Sequence, residues 1–255
     1  MLTERSARVV AAVKLHRHVG RRRAGRFLAE GPNLVSAASA RGLVREVFVT
    51  EDAAQRYAAL LTPPVHLVTE RAAKALSDTV TPTGLIAVCE VPATQLAEVL
   101  TGSARLIAVA VDISEPGNAG TLIRLADAMG AAAVVLAGHS VDPYNGKCLR
   151  ASAGSIFAIP LVVEPDAHGA VTQLRAAGLQ VLATTVDGEM PLDATELSLD
   201  RPTAWLFGPE SQGLSAELAD TADHRVVIPM AGGAESLNVA TAAAICLYQS
   251  SRALA

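Results

Sequence analysis

Aromatic side chains are scarce in this sequence. Phe, Tyr and Trp make up 3% of it, and none occurs before Phe27. An aromatic platform for stacking unpaired bases is therefore disfavoured in the N-terminal region. Cysteine is as sparse: Cys89, Cys148 and Cys246 are scattered, without a CxxC pair. That spacing argues against both a disulfide framework and a zinc site. No apolar run approaches the roughly 18 residues that a bilayer requires. The N-terminus carries Arg5, Arg8 and Lys14 but no apolar stretch leading to a small-residue cleavage site. A cytoplasmic protein without membrane association is expected. There is no GxGxxG and no GxxxxGK followed by Ser or Thr, so neither a dinucleotide fingerprint nor triphosphate hydrolysis has support. The six histidines are dispersed without HExxH or triad spacing, and neither a metal nor histidine catalysis is expected.

What is present is a globular chain of 255 residues, 51% hydrophobic with much alanine, and 18% charged. Its length suits one large or two modest domains. The net charge of −4 conceals an asymmetry. Positions 1–50 hold ten Lys or Arg, among them Arg21, Arg22, Arg23 and Arg26, against three acids. The rest of the chain is acidic. A basic block on an acidic protein reads either as a solvated basic helix or as a surface for a polyanion. With so few aromatics, any binding of nucleic acid by this block should run through phosphates and shape.

The first ninety residues read as a small α/β unit. Helical pattern covers 3–16, 30–40, 52–61 and 69–76, with Thr69 as a cap, and strand pattern covers 44–50, 65–68 and 85–91. Pro92 opens a linker containing a short helix near 95–100. We place a first domain at 1–92, a linker at 93–104 and a second domain at 105–255. In the second domain apolar runs at 106–111, 132–136, 160–163, 180–186, 203–207 and 225–228 alternate with helical segments. Helices are expected at 119–129, 170–177 and 236–252. This is the pattern of a parallel sheet covered on both faces.

In such sheets ligands bind beyond the carboxyl ends of the strands. Three exits have unusual polar and glycine content. Residues 112–124 (DISEPGNAGTLIR) bring Asn118 and Gly120 to a helix start, with Arg124 further along it. Residues 206–215 (LFGPESQGLS) run from a strand into Gly208, Glu210 and Gly213. Residues 228–239 (IPMAGGAESLNV) join Ile228 and Met230 to Ser236, Leu237 and Asn238 through a glycine pair. Glycine at such places lets a ligand approach the backbone. Taken singly, each also reads as an ordinary element: a capped helix with a surface arginine, a glycine-rich turn, and an N-cap serine.

Taken in order, Asn118-x-Gly120-x-x-x-Arg124, Gly208-x-Glu210-x-x-Gly213 and Ile228-Pro229-Met230 with Ser236-Leu237-Asn238 resemble the three signature motifs of the SpoU/TrmH family. That family belongs to the SPOUT class of RNA methyltransferases. The resemblance covers the whole chain. Arg26-Phe27-Leu28-x-Glu30-Gly31 and its surroundings are similar to the substrate-binding domain of members acting on ribosomal RNA, including the thiostrepton-resistance type.

The resemblance implies an α/β catalytic domain with a deep trefoil knot, an exception to the rule against threaded chains. It also implies a small L30e-like N-terminal domain and a homodimer. S-adenosylmethionine would be held by Thr184, Gly208, Ile228, Met230, Ser236, Leu237 and Asn238. Catalysis would fall to Asn118, Arg124, Glu210, Ser236 and Asn238. RNA would meet Arg21, Arg22, Arg23, Arg26, Lys147 and Arg150. Gly146 stands where relatives often carry proline, which is expected to loosen that loop.

The implied reaction is methylation of a ribose 2′-hydroxyl, with 23S ribosomal RNA the favoured substrate. A guanidinium has no acceptor site. Arg124 is therefore expected to clamp the target phosphate and stabilise the developing alkoxide, while water or a neighbouring acceptor takes the proton. Transfer RNA is the alternative substrate. A base methyltransferase of the same superfamily, a non-catalytic ribosome-assembly protein and a Rossmann oxidoreductase are the competing functions. Intact motifs weigh against the second, and the missing glycine fingerprint against the third.

Overall fold

The computed structural model describes residues 1–61 and 64–254. The chain divides into two compact units. One comprises Met1–Pro92 together with Asp142–Phe157, and the other Ala93–Val141 together with Ala158–Ala255.

The first unit contains α1 (Ala7–Val13), α2 (His18–Ala24), β1 (Arg26–Glu30), α3 (Pro32–Ala40) and β2 (Val44–Val49). These are followed by α4 (Glu51–Arg56), β3 (Val65–Leu67), α5 (Glu70–Leu76) and β4 (Leu85–Glu90). Its sheet runs β1-β4-β2-β3. Two of the pairings are antiparallel, and β2 with β3 is parallel. One face packs Phe48, Ile86 and Val88 against Val9, Leu15, Ala72 and Leu76 of the flanking helices. The alternate residues Val47, Val49 and Leu85 are buried on the other side, as the two-residue period of a strand requires. Thr69 accepts from the Ala72 amide and so caps α5, as the sequence predicts.

The sequence pattern does not reveal two elements here. The segment 26–30 is a strand with Phe27 and Ala29 fully buried, and the helix after it starts only at Pro32. The break is Gly31, whose φ of +89° lies outside the helical region. Helix α2 has no apolar face to announce it. Its buried residue is Arg21, which is held by an ion pair.

The second unit contains α6 (Leu96–Leu100), β5 (Leu106–Val111), α7 (Pro116–Ala128) and β6 (Ala133–Ala137). The next element, α8 (Gly146–Ser152), belongs to the first unit. Then follow β7 (Leu161–Glu164), α9 (Ala167–Ala176), β8 (Gln180–Thr184), β9 (Met190–Pro191), β10 (Thr203–Phe207), α10 (Ala216–Ala219), β11 (His224–Val227) and α11 (Val239–Leu254). The seven strands form one sheet, β7-β6-β5-β10-β8-β11-β9. Every pairing is parallel.

Strands β5, β6 and β10 are buried at every residue, the mark of a sheet covered on both faces. Helices α7 and α11 pack on each other and on β5. Trp205 is fully buried, and its indole N–H donates to Ser250 Oγ at 2.8 Å, tying β10 to α11. Among the described residues no helix is long and apolar enough to cross a membrane, and no group of three His, Cys, Asp or Glu is placed to hold a metal.

The strand order fixes where chemistry can occur. After β5 the chain builds β6 and β7 on one side and places β10, β8 and β11 on the other. The carboxyl ends of β5, β10, β8 and β11 are thus consecutive neighbours, and the order reverses between β5 and β10. A reversal of this kind leaves a crevice at the strand ends.

Candidate active site

The three motif loops leave those neighbouring ends. Residues 112–115 follow β5 and lead into α7, whose start is fixed by Pro116 and by Glu115 accepting from the Gly117 amide. This helix begins three residues earlier than the sequence pattern suggests. Residues 208–214 follow β10, and residues 228–238 follow β11. The last helix starts at Val239 and not at Ser236, because Asn238 is the residue that caps it. Its Oδ1 accepts from the Ala240 and Thr241 amides at 3.0 and 3.3 Å.

The loops are clasped by one carboxylate. Glu210 Oε1 accepts from Asn118 Nδ2 at 2.8 Å, from Asn238 Nδ2, and from the Val239 amide at 3.1 Å. Asn238 Nδ2 also donates to Asn118 Oδ1 at 3.2 Å. One residue from each motif therefore meets the other two directly. Hydrogen bonds to an ionised acceptor are about twice as strong as neutral ones, so the clasp draws the three loops together despite its exposure. The Val239 amide is a participant that the sequence could not announce, since a backbone group leaves no signature.

The second loop is closed upon itself. Gly213, at φ +67°, donates its amide to Pro209 O at 2.7 Å. A Cβ on Gly208 would lie 2.5 Å from the Leu214 nitrogen and 2.6 Å from the Gly213 carbonyl carbon. Only glycine fits there. Between β10 and β11, the end of β8 carries a threonine pair. Thr184 Oγ1 donates to Leu206 O at 2.9 Å and is occupied within the sheet. Thr185 Oγ1 is buried without a hydrogen-bond partner among the described residues. A buried hydroxyl left unpaired costs free energy unless a ligand meets it. Successive strand residues face opposite sides, and the sequence alone could not tell which threonine has the open hydroxyl.

Arg124 lies on α7, exposed, with no hydrogen bond or ion pair among the described residues. Ile228 is half-buried, Met230 is exposed, and Leu237 is half-buried in the third loop. Ser236 is exposed and makes no hydrogen bond among the described residues. No thiol here is a ready nucleophile. Burial pushes Cys89 and Cys148 up to about 12 and raises Cys246 further.

The basic residues expected to meet RNA all lie in the first unit, and they divide by burial. Arg22, Arg23 and Arg26 are exposed. Arg21 is 5% exposed. Its Nη2 is 2.6 Å from Asp142 Oδ2, its Nε donates to the same oxygen, and its Nη1 donates to the Leu15 and His16 carbonyls. That guanidinium anchors the segment 142–157. Phe27 does the same from β1, its ring 4.8 Å from Tyr144 and 6.0 Å from Phe157. Arg150 is half exposed and paired with Asp78. Lys147 is on the same short helix. Gly146 is the first residue of α8. A Cβ there would fall 2.1 Å from Asp78 Oδ2, the end of an exposed side chain.

Comparison with known proteins gives this geometry a context. Residues 105–248 match the model of the SpoU rRNA Methylase family, and residues 7–87 match the MRM3-like substrate binding domain. The chain is 37% identical to the 23S rRNA (guanosine(2553)-2′-O)-methyltransferase RlmP of Bacillus subtilis, over 92% of each chain. It superposes on the SpoU methyltransferase AviRb of Streptomyces viridochromogenes, solved with its cofactor AdoMet. The TM-score is 0.85 with 31% identity, over 97% of this chain and 98% of that one. An AdoMet-bound rRNA methyltransferase from Sinorhizobium meliloti gives a TM-score of 0.87 at 30% identity, over 98% of this chain and 96% of that one. With residues 105–248 matched by the family model and 92% of its length by a relative 37% identical to it, the chain belongs to the SpoU rRNA methylase family.

Proposed function

We propose that this chain transfers the methyl group of S-adenosylmethionine to a ribose 2′-hydroxyl of 23S ribosomal RNA. The observation that carries the reading is the clasp of Asn118, Glu210 and Asn238, which joins the three motif loops at neighbouring strand ends. Membership of the family supports the reaction. The choice of 23S RNA rests on RlmP, a 23S methyltransferase by name, which matches along 92% of both chains.

The residues present fit the cofactor. Gly208, Ile228, Met230, Ser236, Leu237 and Asn238 offer backbone groups on two loops, one of them closed so tightly that no side chain fits at Gly208. Thr185, just past the end of β8, supplies a buried hydroxyl lacking a partner among the described residues, and in this reading it takes the place of Thr184. When bound, the cofactor supplies a methyl group already activated by a sulfonium centre. The protein's task is then to align the attacking oxygen and help it lose its proton. Alignment is worth about 7–11 kcal/mol when the geometry is near-attack, and a positioned base adds roughly 10²–10⁴-fold. Glu210 holds the three loops in register. Arg124, exposed on α7 and unpaired among the described residues, clamps the phosphate next to the target ribose and stabilises the alkoxide as it forms. Water or a neighbouring acceptor takes the proton.

Arg22, Arg23 and Arg26, with Lys147 and Arg150, meet RNA phosphates from the first unit. The homodimer and the trefoil knot belong to the same reading, supported by the family resemblance. The test is transfer of tritium from labelled S-adenosylmethionine to 23S RNA, followed by alkaline digestion. A 2′-O-methyl group leaves one cleavage-resistant phosphodiester. Label in a fully cleavable product would mean base methylation, and no label at all would return the chain to RNA binding alone.

A further inference from the structure

We propose that Asp112 is a positioning residue for methyl transfer, holding the first motif loop through a left-handed backbone and a carboxylate bond to the neighbouring strand exit. The inference rests on the methyltransferase reading above. Asp112 directly follows β5, at φ +53°. Among the described residues only Ala153 shares a positive φ without being glycine. Side chains rarely adopt this region, and Asp and Asn are those that tolerate it. Such strain persists only where the surroundings enforce it.

The enforcing contacts come from the exit of β6. Asp112 Oδ1 accepts from the His139 amide at 2.7 Å. The Asp112 amide donates to Ala137 O at 3.1 Å. Gly138 provides the room: a Cβ there would lie 2.4 Å from Asp112 Oδ1. One step further, the Ile113 amide donates to Ser140 Oγ at 3.1 Å, and the Val141 amide donates to Ile113 O at 2.8 Å. Ser140 Oγ lies within hydrogen-bond distance of the Ala110 and Ala137 carbonyls as well. The exits of β5 and β6 are laced together at this point.

The consequence falls on the site. Only residues 112–115 separate β5 from α7, so the dihedral angles of Asp112 set the direction in which Asn118 and Arg124 are presented. A return of Asp112 to the extended region would redirect Ile113 and swing the helix start away from Glu210. The exposed Asp112 carboxylate shares no hydrogen bond with Asn118 or Glu210 among the described residues and acts through the backbone.

The test compares Asp112→Asn, Asp112→Gly and Asp112→Ala in the full chain. Asn keeps both the left-handed tolerance and the acceptor, Gly keeps only the conformation, and Ala keeps neither. For Asp112→Ala we expect kcat to fall at least about tenfold, with the KM for RNA and the Kd for S-adenosylhomocysteine changed less than about threefold. Asp112→Asn should stay within about threefold of the parent chain, and Asp112→Gly should lie between. Amide hydrogen exchange should rise over 112–118 in Asp112→Ala and not in Asp112→Asn. Parent-like turnover in Asp112→Ala would overturn the proposal. So would an equal loss in Asp112→Asn, or a kcat loss accompanied by loss of donor binding. A parent chain without transfer would sink the methylation reading instead, and the exchange pattern would then decide the positioning by itself.

Discussion

Asn118 and Asn238 are 120 positions apart in the chain, yet the amide of Asn238 donates to Asn118 Oδ1 across 3.2 Å. Two loops from β5 and β11, strands that are not neighbours in the sheet, are joined by this bond. Glu210, from β10, completes the join with the same oxygen that takes the Val239 amide. The start of α11 is therefore fixed by a residue of the second motif. A change at Glu210 should be felt at both asparagines.

Glu210 is the first place to look for that coupling. Glu210→Ala leaves the amides of Asn118, Asn238 and Val239 without their shared acceptor. We expect kcat/KM for methyl transfer to fall by about 10²-fold or more, with Glu210→Gln intermediate because it keeps an acceptor but loses the charge. The parent and both variants would be compared by tritium incorporation into 23S RNA. Parent-like rates in Glu210→Ala would show that the loops hold their places without the clasp.

Much of this site is legible in the sequence because its residues occur in short blocks after buried strands. The strands β5 and β10 announce themselves as unbroken apolar runs, and loop glycines such as Gly208 and Gly213 mark where backbone must turn. What stays hidden has physical reasons. The strand β1 escapes notice because the two-residue alternation of Phe27 and Ala29 is too short to stand out beside the helix entry at Gly31 and Pro32. Arg21 looks like its exposed neighbours, and only the fold brings Asp142, 121 positions away, to its guanidinium. Thr185 cannot be separated from Thr184 without knowing which face of the sheet each occupies.

Gly208 should tolerate no side chain. In Gly208→Ala the new Cβ would lie 2.5 Å from the Leu214 nitrogen, a distance that forces the 208–214 loop to open. The loop carries both Glu210 and the backbone assigned to the cofactor. Affinity for S-adenosylhomocysteine should drop by roughly tenfold or more, about 1.4 kcal/mol. Isothermal titration calorimetry reads this directly, and an unchanged Kd would remove the loop from the cofactor site.

The arginines of the first unit should separate into two kinds. Neutralising Arg22, Arg23 or Arg26 should weaken RNA binding and flatten the plot of log K against log salt by about 0.7–0.9 for each phosphate that is no longer neutralised. Arg21→Ala should instead destabilise the chain by roughly 1.5–3 kcal/mol, because it removes the charge-assisted hydrogen bonds to the half-buried Asp142 carboxylate and to the Leu15 and His16 carbonyls. Urea unfolding and filter binding across a salt series would distinguish them. A steep salt effect without a stability loss at Arg21 would reverse the assignment.

Gly146 and Asp78 should behave as a pair. Gly146→Ala places a Cβ 2.1 Å from Asp78 Oδ2, so the exposed Asp78 side chain must swing aside, and the loss should roughly cancel alanine's helix-forming advantage of about 1 kcal/mol, leaving stability close to that of the parent chain. Asp78→Ala removes only a half-exposed ion pair with Arg150, worth about 0–1 kcal/mol. Combined with Asp78→Ala, the Gly146→Ala change should become stabilising in urea unfolding. Additivity of the two changes would show that the close approach carries no strain.

Arg124 offers the sharpest test of the chemistry. It is exposed on α7 and unpaired among the described residues, so Arg124→Lys should leave stability close to that of the parent chain. The two cations differ in geometry. A guanidinium can grip a phosphate through two parallel N–H groups, whereas an ammonium acts as a point charge. If the clamp aligns the 2′-oxygen, kcat should fall by at least about tenfold in Arg124→Lys while donor binding stays unchanged. Single-turnover methylation with saturating RNA isolates that step. Near-normal turnover with lysine would show that charge alone suffices at this position, and the alignment would have to come from the RNA surface of the first unit.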